Sequence, residues 1–180
     1  VTIPVKVKKE SQEMDFAIVN LTEMMNRRTP AVLGDSDSVD KTQVVYALGF
    51  PAAVAELQNK NTYTSDDVTI TSGEVSKITS SDGIDYIQHG AILNNGNSGG
   101  PLVNENGEVV GINKGTKSNY YYSVSMNQVK NILDELGVEY QSGTGASVSK
   151  GETVAPETEE QPATEAVAPA TEKQEATTTA

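Results

Sequence analysis

The sequence contains no cysteine and no tryptophan, and among its 180 residues there is one histidine, His89. Without cysteine there is neither a disulfide nor a thiolate ligand, so the redox compartment cannot be inferred from disulfides. His89 and the acidic residues form no cluster with metal-ligand spacing, and no glycine-rich phosphate loop is present. We therefore expect no metal and no cofactor, and imidazole chemistry within these residues would have to use His89.

Basic residues are also scarce. The sequence has 13 lysines and arginines against 25 aspartates and glutamates, which gives a formal net charge of -12. Phosphate neutralisation requires clustered lysine and arginine, so neither a nucleic acid nor an anionic membrane is expected as a partner. The local basic groups at 6–9 and 27–28 are interpreted as solvated surface. No signal peptide or transmembrane segment is visible, so membrane contact is expected only through segments outside this sequence.

Large apolar residues are missing from the last part of the sequence. From residue 142 onward there is no aromatic residue, leucine or isoleucine, and Thr, Glu, Ala and Pro dominate. Such a segment cannot bury enough apolar surface to offset its ordering entropy. The composition therefore predicts a disordered acidic tail or linker over 142–180, and an extended spacer and an inert tail both fit it.

The remaining residues have the pattern of a mostly β domain with one helix. Short runs rich in Val, Ile, Thr and Tyr are broken by Gly, Asn, Asp or Pro, which is typical of strands. A helix is predicted over 126–136, where Ser125 and Gln128 form a capping-box pattern and Gly137 supplies the stop. Its apolar residues fall on one face: Met126, Val129, Ile132, Leu133 and Leu136.

Residues 96–102 read Gly-Asn-Ser-Gly-Gly-Pro-Leu, a pattern typical of a nucleophile loop. Peptide hydrolysis needs a serine oxygen activated by a base, and N–H groups aimed at the oxyanion. Because Gly96 and Gly99 lack Cβ, the chain can turn tightly enough to point the N–H groups of Gly96 and Ser98 into one space. An ordinary surface loop is the alternative. Two flanking strands, joined through the hairpin pattern Asn-Gly at 106–107, make that alternative weaker.

Residues 89–115 resemble the nucleophile region of chymotrypsin-like serine proteases, in the bacterial high-temperature-requirement (Deg-type) branch. Three more stretches match this family in order. Residues 15–19 resemble the strand that carries the catalytic aspartate, 44–51 the opening strand of the second barrel, and 68–76 the strand and turn that follow. The resemblance covers about residues 1–140.

The resemblance implies an all-β, chymotrypsin-like double β-barrel. Residues 1–30 would be the end of the first barrel, and 31–141 a complete second barrel closed by the C-terminal helix at 126–136. The helix is then expected to pack on this barrel; a helix that binds a partner is the less favoured alternative. This remnant of the first barrel would have unpaired strand edges, so the isolated chain is expected to be association-prone or partly open at its amino end.

The resemblance also assigns roles in a serine endopeptidase. Ser98 would be the nucleophile that forms an acyl-enzyme, the N–H groups of Gly96 and Ser98 would form the oxyanion hole, and Asp15 would be a buried carboxylate that orients the base. The alternative for Asp15 is an ordinary acidic residue at the start of a strand. Asn97 stands where digestive relatives have an aspartate that pairs with a new amino terminus. We therefore expect no such activation, and Asn97 could also cap the turn.

The catalytic histidine is the departure from the family pattern. It precedes the aspartate in the family, whereas residues 1–14 contain no histidine. We therefore interpret the chain as an amino-terminally truncated fragment that is inactive alone. His89 is interpreted as a partly buried strand residue rather than a substitute base. The alternative function is a non-catalytic, peptide-binding protease homologue whose cleft holds extended chains.

Substrate preference is inferred from the pocket that the resemblance implies. Residues 92–97 include no acidic group that could pair with a lysine or arginine side chain, so a small or medium aliphatic residue is expected before the cleaved bond. The expected partner is a protein or peptide substrate, in the bacterial cell envelope or outside the cell, and a homo-oligomer is left open. The implied pocket residues are Leu93, Gly111, Ile112 and Asn113.

Overall fold

A computed structural model describes residues 3–22, 28–53 and 63–143 of the chain. Nearly all of the predicted tail, from residue 144 onward, lies outside the described residues. Two short 3-10 turns are present, at Ser36–Ser38 and Ser65–Asp67. The other elements are β1 Val5–Ser11, β2 Phe16–Leu21, β3 Val32–Leu33, β4 Val44–Gly49, β5 Thr69–Ser81, β6 Ile84–His89, β7 Pro101–Val103, β8 Val109–Lys117, β9 Tyr120–Ser125, α1 Met126–Glu135 and β10 Gln141–Ser142.

Six antiparallel strands close into a barrel. Their order is β8-β7-β4-β5-β6-β9, and β9 pairs back with β8. The sequence favours strands with one buried face because apolar residues alternate along them. In β4, for example, Val45 and Ala47 are fully buried while their neighbours are partly exposed. The short strands β3 and β10 extend the sheet beyond β8 in parallel pairings. The prediction of a mostly β domain that carries a helix from Met126 is confirmed in the described residues.

The strands β1 and β2 form a separate two-stranded ribbon. They pair antiparallel with each other, with a bulge between Val7 and Lys9. The ribbon contacts helix α1 through an ion pair of 3.3 Å between Lys9 Nζ and Glu135 Oε2. In addition, the apolar side chain of Met14 packs against the hydrophobic core. The turn that joins its two strands carries Asp15, so this docking decides where Asp15 lies.

The helix α1 begins after Ser125, as predicted, but the predicted capping box is wrong. The Ser125 hydroxyl makes no cap bond to the helix and lies 2.7 Å from Ser36 Oγ. The N–H of Asn127 instead donates to Ser36 Oγ at 3.0 Å, so a residue far away in sequence caps the helix. Gln128 accepts from the N–H of Asp85 rather than folding back. Within the described residues, no helix is long and apolar enough to cross a membrane.

Both predicted chain reversals after the serine loop are present. Gly137, at φ +61°, follows the helix, and its N–H donates to the carbonyl of Asp134. The loop between β7 and β8 turns at Gly107, also at positive φ, with Gly107 N–H bonded to the Asn104 carbonyl at 3.0 Å. Of the Asn-Gly pair, Gly107 has a positive φ and Asn106 does not. The Asn104 side chain fixes that residue by accepting its N–H.

Candidate active site

The loop that carries Ser98 is a tight turn built on glycine. Gly96 has φ +101° and its Cα faces the carbonyl oxygen of Phe50 so closely that a Cβ would overlap it. The turn is closed by two backbone hydrogen bonds of 3.0 Å, from Asn97 N–H to the Asn94 carbonyl and from Gly100 N–H to the Asn97 carbonyl. Glycine at position 96 is therefore required by both conformation and space.

Strand β8 holds this loop in place. The N–H of Gly99 donates to the Asn113 carbonyl, and the N–H of Asn113 donates to the Gly100 carbonyl, each at 2.8 Å. The Ser98 hydroxyl donates to the backbone carbonyl of Lys114, also at 2.8 Å. Ser98 is exposed, so its oxygen is open to a substrate. Within the described residues, that hydroxyl is not hydrogen-bonded to a side-chain base.

The N–H groups around Ser98 divide into two sets. Those of Asn97, Gly99 and Gly100 are bonded to backbone carbonyls. Those of Gly96 and Ser98 have no acceptor in the part of the chain that the structure describes. An oxyanion is stabilised by N–H groups that are fixed in place and have no other acceptor. The two predicted oxyanion-hole groups are thus among the donors of this turn that have no acceptor in the described residues.

Asp15 lies in the turn between β1 and β2, at φ +56°. Its carboxylate Oδ2 accepts from Lys114 Nζ at 2.8 Å. This hydrogen bond, and the positive charge behind it, lower the pKa of Asp15. The expectation of a buried carboxylate is wrong for this structure, because the side chain is 77% exposed. Asp15 and Ser98 nevertheless line the same cavity, of about 380 Å³.

A second cavity, of about 590 Å³, adjoins Ser98. Within the part of the chain that the structure describes, none of its lining residues carries a charge: Ala52, Ala53, Leu93, Asn94, Asn95, Ser98, Gly115 and Thr116. Of the four predicted pocket residues, Leu93 lines this cavity, whereas Ile112 and Asn113 line the cavity that Asp15 shares. Gly111 lines neither and pairs with Leu102 and Ser125 inside the barrel. The structure therefore does not bring the four together.

Several site residues were missed by the sequence reasoning. Gly115 and Thr116 continue the strand whose earlier part, 111–113, was assigned to the pocket. Because β8 has an irregular register between Asn113 and Gly115, the strand bends there, and simple alternation does not predict which residues face the cavity. Lys114 was also missed, because nothing local to residue 114 signals an ion pair with Asp15.

His89 does not take part in the Ser98 site. It is 1% exposed at the end of β6, and its Nε2 lies 3.0 Å from Ser123 Oγ. Ser123 donates its own proton to Asn113 Oδ1, so Nε2–H is the donor to Ser123. Burial lowers the pKa of His89 to about 4, and the nearby Ala91 backbone opposes this in part. His89 is therefore neutral at pH 7, and it lines neither cavity at Ser98.

The side chain of Asn97 does not cap the turn. It is fully buried against Gly49, and neither its Nδ2 nor its Oδ1 has a hydrogen-bond partner in the described part of the chain. A buried amide without partners is costly, and it is uncommon in folded proteins. The order of the serine turn therefore comes from its backbone bonds and from β8.

A six-stranded antiparallel barrel with a serine turn at one rim is the architecture of the trypsin-like peptidases. The family model described as trypsin-like peptidase domain matches residues 1–112, and the chain belongs to that family. The similar proteins include HtrA serine proteases, so the predicted resemblance to the high-temperature-requirement branch is confirmed.

Two curated relatives illustrate the match. The chain is 32% identical to serine protease HTRA1B of Danio rerio over 152 residues, which cover 83% of this chain and 30% of the relative. It is 32% identical over 143 residues to a probable periplasmic serine protease do/HhoA-like of Haemophilus influenzae, covering 73% of this chain and 28% of the relative. The chain thus spans less than a third of the length of these two proteins.

The solved structure described as HtrA-type protease AlgW with decapeptide has a similar fold. The TM-score is 0.60 at 23% sequence identity, and the match covers 73% of this chain and 40% of that one. At this identity the likeness shows the fold alone. It confirms the prediction of a chymotrypsin-like β fold.

Proposed function

We propose that the protein is a serine endopeptidase in which Ser98 forms the acyl-enzyme. The observation that carries this proposal is the turn at Ser98, where the N–H groups of Gly96 and Ser98 lack acceptors in the described residues while those of Asn97, Gly99 and Gly100 are bonded. In the reaction, Ser98 Oγ attacks the peptide carbonyl, its proton goes to a base, and the two N–H groups receive the oxyanion. As the carbonyl re-forms, the peptide C–N bond breaks and the base gives the proton to the leaving amine, which leaves an ester on Ser98. Water then hydrolyses the ester.

The base in this proposal is a histidine that is not among the 180 residues. His89 is not assigned this role, because it is buried, its Nε2 is bonded to Ser123, and it lines neither cavity at Ser98. Asp15 is assigned as the carboxylate that orients the incoming imidazole and stabilises its protonated form. The 180-residue chain is accordingly proposed to be inactive by itself.

The substrate is proposed to be an extended peptide with a small or medium aliphatic residue before the cleaved bond. The lining of the 590 Å³ cavity supports this, since among the described residues neither a lysine nor a glutamate side chain of a substrate would find a counter-charge there. The curated relative from Haemophilus influenzae is described as periplasmic. By that likeness we propose a cell-envelope or secreted location.

The test is covalent labelling with a fluorophosphonate probe, with the modified residue located by mass spectrometry. In the protein as its cells make it, we expect labelling at Ser98, none in Ser98→Ala, and labelling slowed by roughly a hundredfold or more in Asp15→Asn. In the 180-residue chain we expect only the Ser98→Ala background. Labelling of the short chain that disappears in His89→Gln would contradict the assignment of the base.

A second candidate is a peptide-binding homologue without catalysis. It is favoured by one observation: the Ser98 hydroxyl donates to the Lys114 carbonyl and not to a base. This candidate predicts that an extended peptide binds equally well to the natural protein and to Ser98→Ala, with turnover absent from both. Labelling at Ser98 in the natural protein would eliminate it.

A further inference from the structure

Lys114 connects the two side chains to which the proposed function gives catalytic roles. Its backbone carbonyl accepts from Ser98 Oγ at 2.8 Å, and its ammonium donates to Asp15 Oδ2 at 2.8 Å. All three residues line the same 380 Å³ cavity. One residue of β8 therefore contacts the nucleophile through its main chain and the carboxylate through its side chain.

The direction in which the Asp15 carboxylate points depends on this contact. Asp15 belongs to the ribbon of β1 and β2, whereas Ser98 belongs to the barrel, and Lys114 is the hydrogen-bond partner of Asp15 in the described residues. The Lys114 side chain is 32% exposed, so it is partly shielded from water, while the carboxylate is mostly exposed. Without the ammonium, Asp15 would have no described side-chain contact that directs it toward the serine turn.

The geometry excludes Lys114 as the base. Lys114 Nζ donates to Asp15 Oδ2 at 2.8 Å, and a lysine ammonium has three donors and no lone pair that could accept the Ser98 proton. The pair has a different chemical consequence. Lys114 engages Oδ2 of Asp15, and Oδ1 has no partner among the described residues, so that oxygen is left to accept an imidazole N–H.

We propose that Lys114 is a positioning residue of the Ser98 site, which holds Asp15 through Oδ2 so that Oδ1 faces the base. This inference rests on the proposed function. Lys114 acts through Asp15 and does not touch the reacting atoms with its side chain. It joins the ribbon to the barrel at the point where the two halves of the site meet.

The test compares Lys114→Met, Lys114→Arg and Lys117→Met in the natural protein. Methionine removes the charge but keeps an unbranched stem, and arginine keeps a cation that can bind a carboxylate. Lys117 is an exposed lysine near the end of the same strand and serves as the control. The main-chain acceptor for Ser98 is present in all of the variants. Two readouts are used: the pH profile of fluorophosphonate labelling at Ser98, and the titration of the Asp15 carboxyl carbon by NMR.

In Lys114→Met we expect labelling to slow by roughly tenfold, because a misplaced carboxylate orients the base poorly. The acid limb of the profile should move to higher pH, since loss of a neighbouring positive charge raises the pKa of Asp15 and of the base. Lys114→Arg should restore most of the rate, and Lys117→Met should match the unsubstituted protein.

Two results would overturn the proposal. One is a Lys114→Met variant with unchanged rate, profile and Asp15 titration. The other is equal impairment of the Met and Arg variants without a shift in pH dependence, which would indicate a packing role. If the unsubstituted protein is not labelled at Ser98, the proposed function fails. The Asp15 titration then decides separately whether Lys114 holds that carboxylate.

Discussion

At the scale of single residues, His89 has a structural role as part of a buried hydrogen-bond network. It donates to Ser123, which donates to Asn113, and the Asn113 amide donates to the carbonyls of Pro101 and Leu48 at 3.1 and 3.3 Å. These side chains are buried, so each hydrogen bond replaces one that water would otherwise make. Because Asn113 also binds the serine turn through its backbone, the network supports the site from inside the barrel.

We predict that His89 makes stability depend on pH. Its pKa is about 4 in the folded chain and 6.5 in the unfolded reference, so between these values the unfolded chain binds more protons. Stability is therefore fully present above about pH 6.5 and falls as the pH is lowered toward 4. The contribution is about 3 kcal/mol in the free energy of unfolding. Urea unfolding of the 180-residue chain at pH 7 and pH 4 measures it.

The matched control for this prediction is His89→Gln. A glutamine amide can still donate to Ser123 but does not titrate, so its loss of stability between the two pH values should be smaller by about 3 kcal/mol. Equal pH dependence in the two proteins would show that His89 does not titrate on unfolding as inferred.

At the scale of elements, strand β5 crosses the chain after β6 at a point with no space for a side chain. A Cβ on Gly73 would overlap the backbone of Gly90 and Ala91. At Gly90 itself, the nearest atom to a Cβ would be the Glu74 nitrogen at 3.6 Å, an ordinary contact. Neither glycine has a positive φ, so the two positions differ only in the space available to a Cβ.

We therefore predict opposite outcomes for two neighbouring substitutions. Gly73→Ala should reduce the free energy of unfolding by about 3 kcal/mol or more, because backbone must move to admit the methyl group. Gly90→Ala should change it by about 1 kcal/mol or less. Denaturant unfolding of both variants measures the difference, and similar stabilities would mean that the two strands do not approach each other as closely as described.

Local sequence patterns predicted where the elements lie better than they predicted which residues of different elements are in contact. The apolar spacing from Met126 onward predicts the helix, because a helix is defined by residues three and four apart. Its cap could not be predicted, since Ser36 is 91 residues away from the N–H of Asn127 that it binds. For the same reason the serine turn was predictable from glycine spacing, whereas the pair between Lys114 and Asp15, separated by 99 residues, was not.

At the scale of the whole molecule, the barrel and the ribbon differ in how they are held. Each barrel strand pairs on both sides, while β1 and β2 pair only with each other in the described residues. The ribbon also leaves apolar side chains in solvent, including Val5, Val7, Val19 and Leu21. Its ion pairs with α1 and with β8 are partly or largely exposed, and such pairs contribute little to the free energy of unfolding.

We predict that the ribbon opens before the barrel does. An isolated two-stranded ribbon is marginally stable in water, so opening of β1 and β2 needs little free energy, whereas opening of β4 or β8 breaks the closed sheet. In hydrogen–deuterium exchange of the 180-residue chain, amides of β1 and β2 should exchange roughly a hundredfold or more faster than those of β4 and β8. Glu135→Ala, which removes the exposed partner of Lys9, should change this pattern little. Uniformly strong protection from Val5 to Leu21 would contradict the prediction and would mean that contacts other than these ion pairs hold the ribbon.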